Sequence, residues 1–290
     1  NIMNQAKLFI DLTRLKKPIG FMLLFWPCAW GLTLAYDFST SLYIYFFYLT
    51  LFFLGSVLMR SAGCIVNDIL DKEFDAKVFR TKNRPIASGK VSIKLGIFYS
   101  ILLCFLALLV LLNFNTFTII LALGSMPLAF TYPLMKRFTY WPQLFLGITF
   151  NYGLILGWTA INGKLEMAPI LFYLGAIFWT LGYDTIYGYQ DIKDDEIIGL
   201  KSTSIKFKGK AKEFLFVCYA FVIIFFIVGG LKMNFHSSYY FLILIPFTHL
   251  FLYQIKIFDL KNPSSCLNAF KSNNSFGLII FLNILIVKIL

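Results

Sequence analysis

Nine long apolar runs, separated by short polar segments, occupy most of this 290-residue chain. A helix needs about 20 apolar residues to cross the hydrocarbon core of a bilayer. Only 14% of the residues are charged, whereas soluble domains are about one quarter charged. The sequence therefore predicts an all-α, polytopic membrane protein with about nine transmembrane helices, forming a single domain over residues 1–290. The runs lie at 19–36, 42–67, 93–112, 115–132, 141–161, 167–187, 212–231, 238–258 and 275–290.

The positive charge of the chain is distributed unevenly among the segments between these runs. If every run crosses the membrane, 22 of the 26 Lys and Arg residues fall on one side. Such a bias marks the cytoplasmic side of a membrane protein, so we expect the N-terminus to be cytoplasmic. The net charge of +12 is then a topology signal, and nucleic acid is not a predicted partner. Since nothing at the start resembles a presequence, we expect a bacterial cell inner membrane and not a mitochondrion.

Nine of the fourteen acidic residues form two short clusters, one after the second apolar run and one after the sixth. Both clusters fall on the predicted cytoplasmic side. Their positions four runs apart indicate an internal repeat of two four-helix halves. The first contains Asp68, Asp71, Glu73 and Asp75, and the second contains Asp184, Asp191, Asp194, Asp195 and Glu196.

The spacing within each cluster predicts a shared helix face. If the helices continue, Asn67, Asp71 and Asp75 lie on one stripe, and Asp184, Asp191 and Asp195 lie on another. Carboxylates held this close repel one another unless a cation lies between them. Mg²⁺ suits such sites, because it takes one or two carboxylates and completes its shell with water and phosphate oxygens. We therefore predict Mg²⁺ bound by Asp71, Asp75, Asp191 and Asp195.

Basic residues follow both clusters, Arg80 and Arg84 after the first and Lys201 after the second. Arg and Lys are the usual donors to phosphate oxygens, so the pattern favours a diphosphate held between metal and base. The competing interpretation is that these are solvated helix ends and topology markers. Two clusters with matching spacing, side and basic followers favour the diphosphate site.

These motifs resemble those of the UbiA superfamily of intramembrane prenyltransferases. The resemblance is carried by Asn67-Asp68-x-x-Asp71-x-x-x-Asp75, by Arg80-Thr81-x-x-Arg84-Pro85, and by Tyr183-Asp184 through Asp195 with Gly199-x-Lys201-Ser202. Ala62-Gly63-Cys64 and Tyr132-Pro133-x-Met135-Lys136-Arg137 are similar to the 4-hydroxybenzoate polyprenyltransferase branch. The resemblance covers about residues 14 to 210, and the last third shows no recognised motif.

The resemblance implies helices around a central cavity and a Mg²⁺-dependent transfer of a polyprenyl group. The donor would be a polyprenyl diphosphate, and the acceptor 4-hydroxybenzoate, prenylated ortho to its hydroxyl in ubiquinone biosynthesis. Asp71, Asp75, Asp191 and Asp195 would be catalytic, and Arg137, ahead of Lys136, would bind the acceptor carboxylate. The residues expected to bind substrate are Asn67, Asp68, Arg80, Arg84, Lys136, Arg137, Asp184 and Lys201.

Three alternatives remain open from the sequence. Other members of the superfamily use the same acidic motifs with haem, naphthoate or chlorophyllide as acceptor. Intramembrane acids also relay ions in transporters, although these acids lie at the membrane edge and not at its midplane. A membrane scaffold without catalysis would tolerate replacement of the acids. The base that takes the ring proton is an acid such as Asp191 or the departing diphosphate, since His236 and His249 lie far from the clusters in sequence.

Overall fold

The computed structural model describes residues 2–290, which form helices and no β-strand. Long membrane helices alternate with short helices at the membrane edge. The elements are α1 (Ile2–Thr13), α2 (Ile19–Ala35), α3 (Leu42–Leu70), α4 (Lys72–Asp75), α5 (Ile93–Leu111), α6 (Thr116–Arg137), α7 (Pro142–Asn162), α8 (Met167–Gly188), α9 (Ile192–Ile197), α10 (Thr203–Lys206), α11 (Lys208–Lys232), α12 (Ser238–Ile257) and α13 (Pro263–Ile289).

The predicted polytopic membrane fold is confirmed. Among the described residues, eight helices are long and apolar enough to cross a membrane, and α2 is a ninth apolar helix of 17 residues. Residues 25–34 of α2 are all buried, so this helix runs through the middle of the bundle. The last run begins earlier than predicted, because α13 starts at Pro263. By contrast, α5 exposes Phe98, Ile101 and Phe105, as expected of a lipid-facing helix.

Glycines allow α2 and α7 to approach closely. A Cβ atom at Gly31 would lie 2.0 Å from the Leu154 carbonyl oxygen, and one at Gly157 would lie 2.5 Å from the Leu32 nitrogen. Any larger residue would push the helices apart. Since lipid gives apolar helices little hydrophobic reason to associate, such close backbone contact is a main source of stability.

Aromatic residues fill the core where α2, α8, α11 and α13 meet. The Trp30 and Trp179 ring centroids lie 5.1 Å apart, and Phe276 lies 5.1 Å from Trp179. Both indoles are fully buried and both N–H groups are satisfied. Trp30 Nε1 donates to the Gly277 carbonyl at 2.9 Å, and Trp179 Nε1 donates to Asn273 Oδ1 at 2.8 Å. The core is therefore both packed and specified by hydrogen bonds.

The segments that carry the acidic clusters meet at one end of the bundle. Arg14, which follows α1, contacts Asp68 at the end of α3. The end of α6 contacts the loop between α9 and α10 through a 2.8 Å hydrogen bond from the Lys201 nitrogen to the Lys136 carbonyl. The N-terminal helix and both clusters thus share one end, as the charge distribution predicts.

Candidate active site

A cavity of about 1150 Å³ opens at the end of the bundle where the two acidic clusters meet. It brings together the four predicted metal ligands, Asp71, Asp75, Asp191 and Asp195. Asp184 also lines it. The basic residues on its wall are Arg14, Lys16, Lys17, Arg60, Arg80, Arg84, Lys90, Lys136, Lys201 and Lys271. Acids and bases thus line one space large enough for a small molecule with a phosphate group.

The first cluster keeps the predicted stripe although the helix is interrupted. Asp71 departs from helical geometry, with φ −98° and ψ 7°. The i to i−4 hydrogen bonds nevertheless continue, from the Asp71 nitrogen to the Asn67 carbonyl at 2.9 Å and from Asp75 to Asp71 at 2.8 Å. Asn67, Asp71 and Asp75 therefore all face the cavity, while Asp68 does not line it.

Asp68 and Asp75 are joined by a shared arginine. Arg84 Nη1 lies 3.1 Å from Asp68 Oδ1 and 2.8 Å from Asp75 Oδ2, and Arg14 Nη2 adds a second partner for Asp68 at 2.6 Å. Burial raises the pKa of Asp75, and the Arg84 guanidinium opposes that rise. Asp68 therefore holds Arg14 and Arg84 in place and does not itself line the cavity. The sequence predicts direct contact of Asp68 with substrate, and this arrangement differs from that prediction.

Lys136 and Arg137 both approach Asp71, but from different sides. Lys136 Nζ donates to Asp71 Oδ2, and its side chain lines the cavity. Arg137 does not line the cavity: its Nη2 donates to the Leu70 carbonyl at 2.6 Å, and its guanidinium lies over the Phe74 ring. Of the two predicted acceptor ligands, the structure thus places the less favoured one in the cavity.

The predicted stripe in the second cluster is interrupted between Asp184 and Asp191, whereas Asp191 and Asp195 keep the helical i to i−4 hydrogen bond, at 2.9 Å. Helix α8 ends at Gly188, and the next residues make i to i−3 hydrogen bonds, from Tyr189 to Ile186, Gln190 to Tyr187 and Asp191 to Gly188. Such tight turning advances each residue by more than the 100° of an α-helix, so the spacing of seven no longer keeps one face. Asp184, Asp191 and Asp195 nevertheless all line the same cavity.

Arg80 links the loop after the first cluster to the second cluster. Its Nε and Nη2 donate to the Asp191 carboxylate at 2.8 and 2.5 Å, in a fork-to-fork arrangement. Its Nη1 donates to the Tyr187 hydroxyl at 3.2 Å, and its guanidinium lies over the Tyr187 ring. Tyr187 is thus a site residue that the sequence motif contained but that had no predicted role.

Asp195 has no ion-pair partner within residues 2–290. Burial, followed by the negative charge of Asp191, raises the pKa of Asp195 to about 7. An acid in such surroundings gains most from a cation that enters the cavity.

Arg60 is a candidate functional residue that lies outside the motifs recognised in the sequence. It lies within the membrane helix α3, lines the cavity, and forms no ion pair within residues 2–290. Its guanidinium lies over the Phe150 ring, 5.4 Å from the centroid. The signal was available in the sequence: Arg60 is a lone charge in an apolar run, seven residues before Asn67 and so on the same face. Charges inside membrane helices usually face an interior functional site.

The carboxylates of the cavity fit Mg²⁺ by their chemistry. Among residues 2–290, no three His, Cys, Asp or Glu side chains converge as a complete metal site. Asp71 Oδ1, however, is buried without a hydrogen-bond partner, and Asp195 has no cation. Mg²⁺ commonly takes one or two carboxylates and obtains its other ligands from water and substrate phosphate. The donors present therefore suit a metal that arrives together with a diphosphate.

Two solved structures of UbiA homologs are similar to this chain in fold. An apo UbiA homolog from Aeropyrum pernix K1 superposes with a TM-score of 0.72 at 24% identity, covering 93% of this chain and 98% of that one. A UbiA homolog from Archaeoglobus fulgidus bound to GPP and Mg²⁺ gives a TM-score of 0.70 at 18% identity, covering 97% and 100%. At these identities the likeness establishes the fold.

Sequence relatives are much closer than the solved structures. The Drosophila melanogaster protein named 4-hydroxybenzoate polyprenyltransferase, mitochondrial, is 42% identical over 290 residues, covering all of this chain and 73% of the relative. The proteins of the same name from Homo sapiens and Arabidopsis thaliana are 42% and 44% identical, covering 96% and 94% of this chain and 74% and 67% of the relatives.

The family match extends well beyond the region in which sequence motifs were recognised. The model of the UbiA prenyltransferase family matches residues 24–285, whereas the motifs ended near residue 210. The last third also contributes Leu267, Phe270, Lys271 and Asn274 to the cavity wall. On this match, and with relatives 42 to 44% identical over nearly the whole chain, the chain belongs to the UbiA prenyltransferase family.

Proposed function

We propose that this protein transfers a polyprenyl group from polyprenyl diphosphate to 4-hydroxybenzoate, ortho to the hydroxyl, with release of diphosphate, in ubiquinone biosynthesis. The observation that carries the proposal is one cavity that combines two carboxylate clusters with arginines and lysines. The acceptor is supported by the names of relatives that are 42 to 44% identical over nearly the whole chain.

The diphosphate end of the donor belongs between the clusters. Arg80, Arg84, Lys136 and Lys201 line this part of the cavity and can donate to phosphate oxygens. Asp71, Asp75, Asp191 and Asp195 would hold Mg²⁺. The metal would neutralise the charge that develops on the departing diphosphate. Once Mg²⁺ binds these carboxylates, their present basic partners would be free to bind the phosphate oxygens; these partners are Arg80, Arg84 and Lys136.

We assign the acceptor carboxylate to Arg60, in place of the predicted Arg137. Arg60 forms no ion pair within residues 2–290, and it lines the cavity together with Phe150 and Tyr132. 4-Hydroxybenzoate has the matching chemistry, a flat apolar ring with one carboxylate. Arg137, in contrast, donates a hydrogen bond to the Leu70 carbonyl and does not line the cavity.

The remaining chemistry follows from the cavity wall. Loss of diphosphate leaves an allylic cation, which water would quench and which aromatic faces stabilise. Phe21, Tyr132 and Phe150 line the wall and supply such faces. The phenol ring then attacks through the carbon ortho to its hydroxyl. The displaced ring proton passes to a carboxylate of the second cluster or to the diphosphate.

The membrane side is part of the proposal. We infer that the end with α1 and both clusters faces the cytoplasm of a bacterial cell, since it holds most of the Lys and Arg residues. The relatives compared above are named as mitochondrial, so a mitochondrial membrane is the alternative. In bacterial cells, a membrane-impermeant thiol reagent should label Lys164→Cys and leave Lys208→Cys unlabelled.

The test is a transfer assay with the purified protein in lipid nanodiscs. Radiolabelled 4-hydroxybenzoate, a polyprenyl diphosphate and Mg²⁺ are supplied, with EDTA in a parallel reaction. Label should enter the lipid phase only when Mg²⁺ is present. Transfer to a hydroxynaphthoate or to haem, with none to 4-hydroxybenzoate, would keep the prenyltransferase and overturn the acceptor. No transfer to any of these acceptors by the folded protein would defeat the proposed reaction.

A further inference from the structure

A single buried asparagine marks the interruption of the last membrane helix. Helix α13 consists of two segments, Pro263–Lys271 and Asn273–Ile289, which meet at Ser272. Asn273 begins the second segment and is fully buried. It lies in the third of the chain in which the sequence showed no motif.

Asn273 uses its full hydrogen-bonding capacity. Its Nδ2 donates to the Phe270 carbonyl at 3.0 Å and to the Ala269 carbonyl at 3.3 Å. Its Oδ1 accepts from Trp179 Nε1 at 2.8 Å and from Gln254 Nε2 at 2.7 Å. An amide has two donor hydrogens and two acceptor lone pairs, so no group of this side chain is left unpaired. No other side chain of this size can make the same set of bonds.

The partners of Asn273 join neighbouring membrane helices at one point. Trp179 belongs to α8, and Gln254 ends a π-helical turn, His249–Gln254, within α12. Gln254 Oε1 in turn accepts from the Tyr219 hydroxyl of α11 at 2.6 Å. Turns of this kind inside α-helices are uncommon and occur frequently at functional sites.

Phe270 connects this network to the cavity. Its carbonyl is held by Asn273, and its ring lies 4.6 Å from the Tyr187 ring, centroid to centroid. Tyr187 accepts a hydrogen bond from Arg80, and Arg80 donates to the Asp191 carboxylate. A continuous series of contacts thus runs from Asn273 to the second acidic cluster.

We propose that Asn273 is a positioning residue for the donor diphosphate. It fixes Phe270 against Tyr187, and Tyr187 holds the Arg80 guanidinium beside Asp191. The inference rests on the proposed prenyl transfer, because it concerns how tightly that donor is bound. Asn273 itself does not line the cavity and touches no substrate.

The test compares Asn273→Leu with Asn283→Leu in the same helix. Asn283 is also buried and donates to the Leu242 carbonyl at 3.1 Å, away from the cavity. Asn273→Leu should raise the KM for polyprenyl diphosphate about tenfold, since loss of one or two hydrogen bonds relaxes the Phe270 turn. The KM for 4-hydroxybenzoate should stay within about twofold. Asn283→Leu should lower the melting temperature and leave both KM values unchanged.

A second variant reaches the same contact without touching the network. Phe270→Leu removes the ring that packs on Tyr187 and lines the cavity, and it should reproduce the rise in donor KM. If Asn273→Leu does not fold, an unchanged donor KM in Phe270→Leu still overturns the inference. An unchanged donor KM in folded Asn273→Leu or in Phe270→Leu, with an active wild type, overturns the inference. An inactive wild type instead defeats the proposed function.

Discussion

The two acidic clusters are nearly matched in sequence, but their charges are balanced very differently in the structure. In the first, Asp68, Asp71 and Asp75 each have a basic partner within 4.0 Å. In the second, Asp191 is paired with Arg80, whereas Asp195 has no ion-pair partner within residues 2–290. The three aspartates of the first cluster are thus paired within the protein, whereas in the second cluster Asp195 is not, although Glu196 pairs with Lys208.

The difference arises because the partner bases come from distant parts of the chain. Arg14 lies 54 residues before Asp68, and Lys136 lies 65 residues after Asp71. A repeat in the local motif therefore does not impose a repeat in the electrostatics. Burial and the negative charge of Asp191 raise the pKa of Asp195 to about 7, so an incoming cation would stabilise its carboxylate.

The largest expected effect tests whether both clusters are needed despite this difference. Asp71→Asn and Asp191→Asn should each reduce prenyl transfer at least about 1,000-fold, since each removes a carboxylate that would hold the Mg²⁺ needed to neutralise the departing diphosphate. The measurement is the nanodisc transfer assay, with melting temperature and gel filtration as evidence of folding. Asp11→Asn, a change to an acid on the rim of the same cavity, is the matched control. Full activity in either cluster variant would refute the metal role.

The next effect concerns stability and separates the two bridging arginines. Arg84, with a side chain 20% exposed, serves Asp68 and Asp75, whereas Arg80 is 35% exposed and serves Asp191. Arg84→Met should cost roughly 3 kcal/mol, because it leaves Asp75 buried without its cation. Arg80→Met should cost under about 1 kcal/mol, as expected of a more exposed pair. Thermal unfolding in detergent measures both, and equal losses would contradict the asymmetry of the clusters.

The fold was predictable because its determinants are local. Apolar runs long enough to span a bilayer have few alternatives to membrane helices. Each run became helical, and among residues 2–290 eight helices are long and apolar enough to cross a membrane. The stripe Asn67, Asp71 and Asp75 was correct because helical hydrogen bonds persist across Asp71. The stripe through Asp184 and Asp191 failed because the tight turn after Gly188 changes the angle per residue. That turn depends on tertiary contacts of the loop that spacing does not encode.

Side-chain partners were the least predictable part of the site. Lys136 and Arg137 are adjacent in sequence, and only the three-dimensional structure shows that one lines the cavity and the other bonds to the Leu70 carbonyl. Arg60 could have been found from the cost of a charge in an apolar run. Asn273 could not have been found from the sequence, because its role depends on hydrogen bonds to four partners on three helices.

A smaller effect distinguishes the acceptor end of the cavity from the clusters. Arg60→Gln should raise the KM for 4-hydroxybenzoate about tenfold or more, as expected for loss of a charge-assisted hydrogen bond, with the donor KM little changed. Arg137→Gln should leave the acceptor KM within about threefold. Steady-state kinetics with each substrate varied in turn measures both. A large acceptor effect in Arg137→Gln alone would restore the assignment that the sequence first suggested.

The smallest expected effect concerns a single hydroxyl at the edge of the second cluster. Tyr187→Phe keeps the ring beneath Arg80 and removes only the 3.2 Å hydrogen bond, so the donor KM should rise about threefold. Tyr189→Phe is a matched control, because its buried hydroxyl has no hydrogen-bond partner and lies outside the cavity. Removal of that hydroxyl should leave KM unchanged and should not lower the melting temperature. Equal KM values for the two variants would mean that the ring of Tyr187, and not its hydroxyl, holds Arg80 against Asp191.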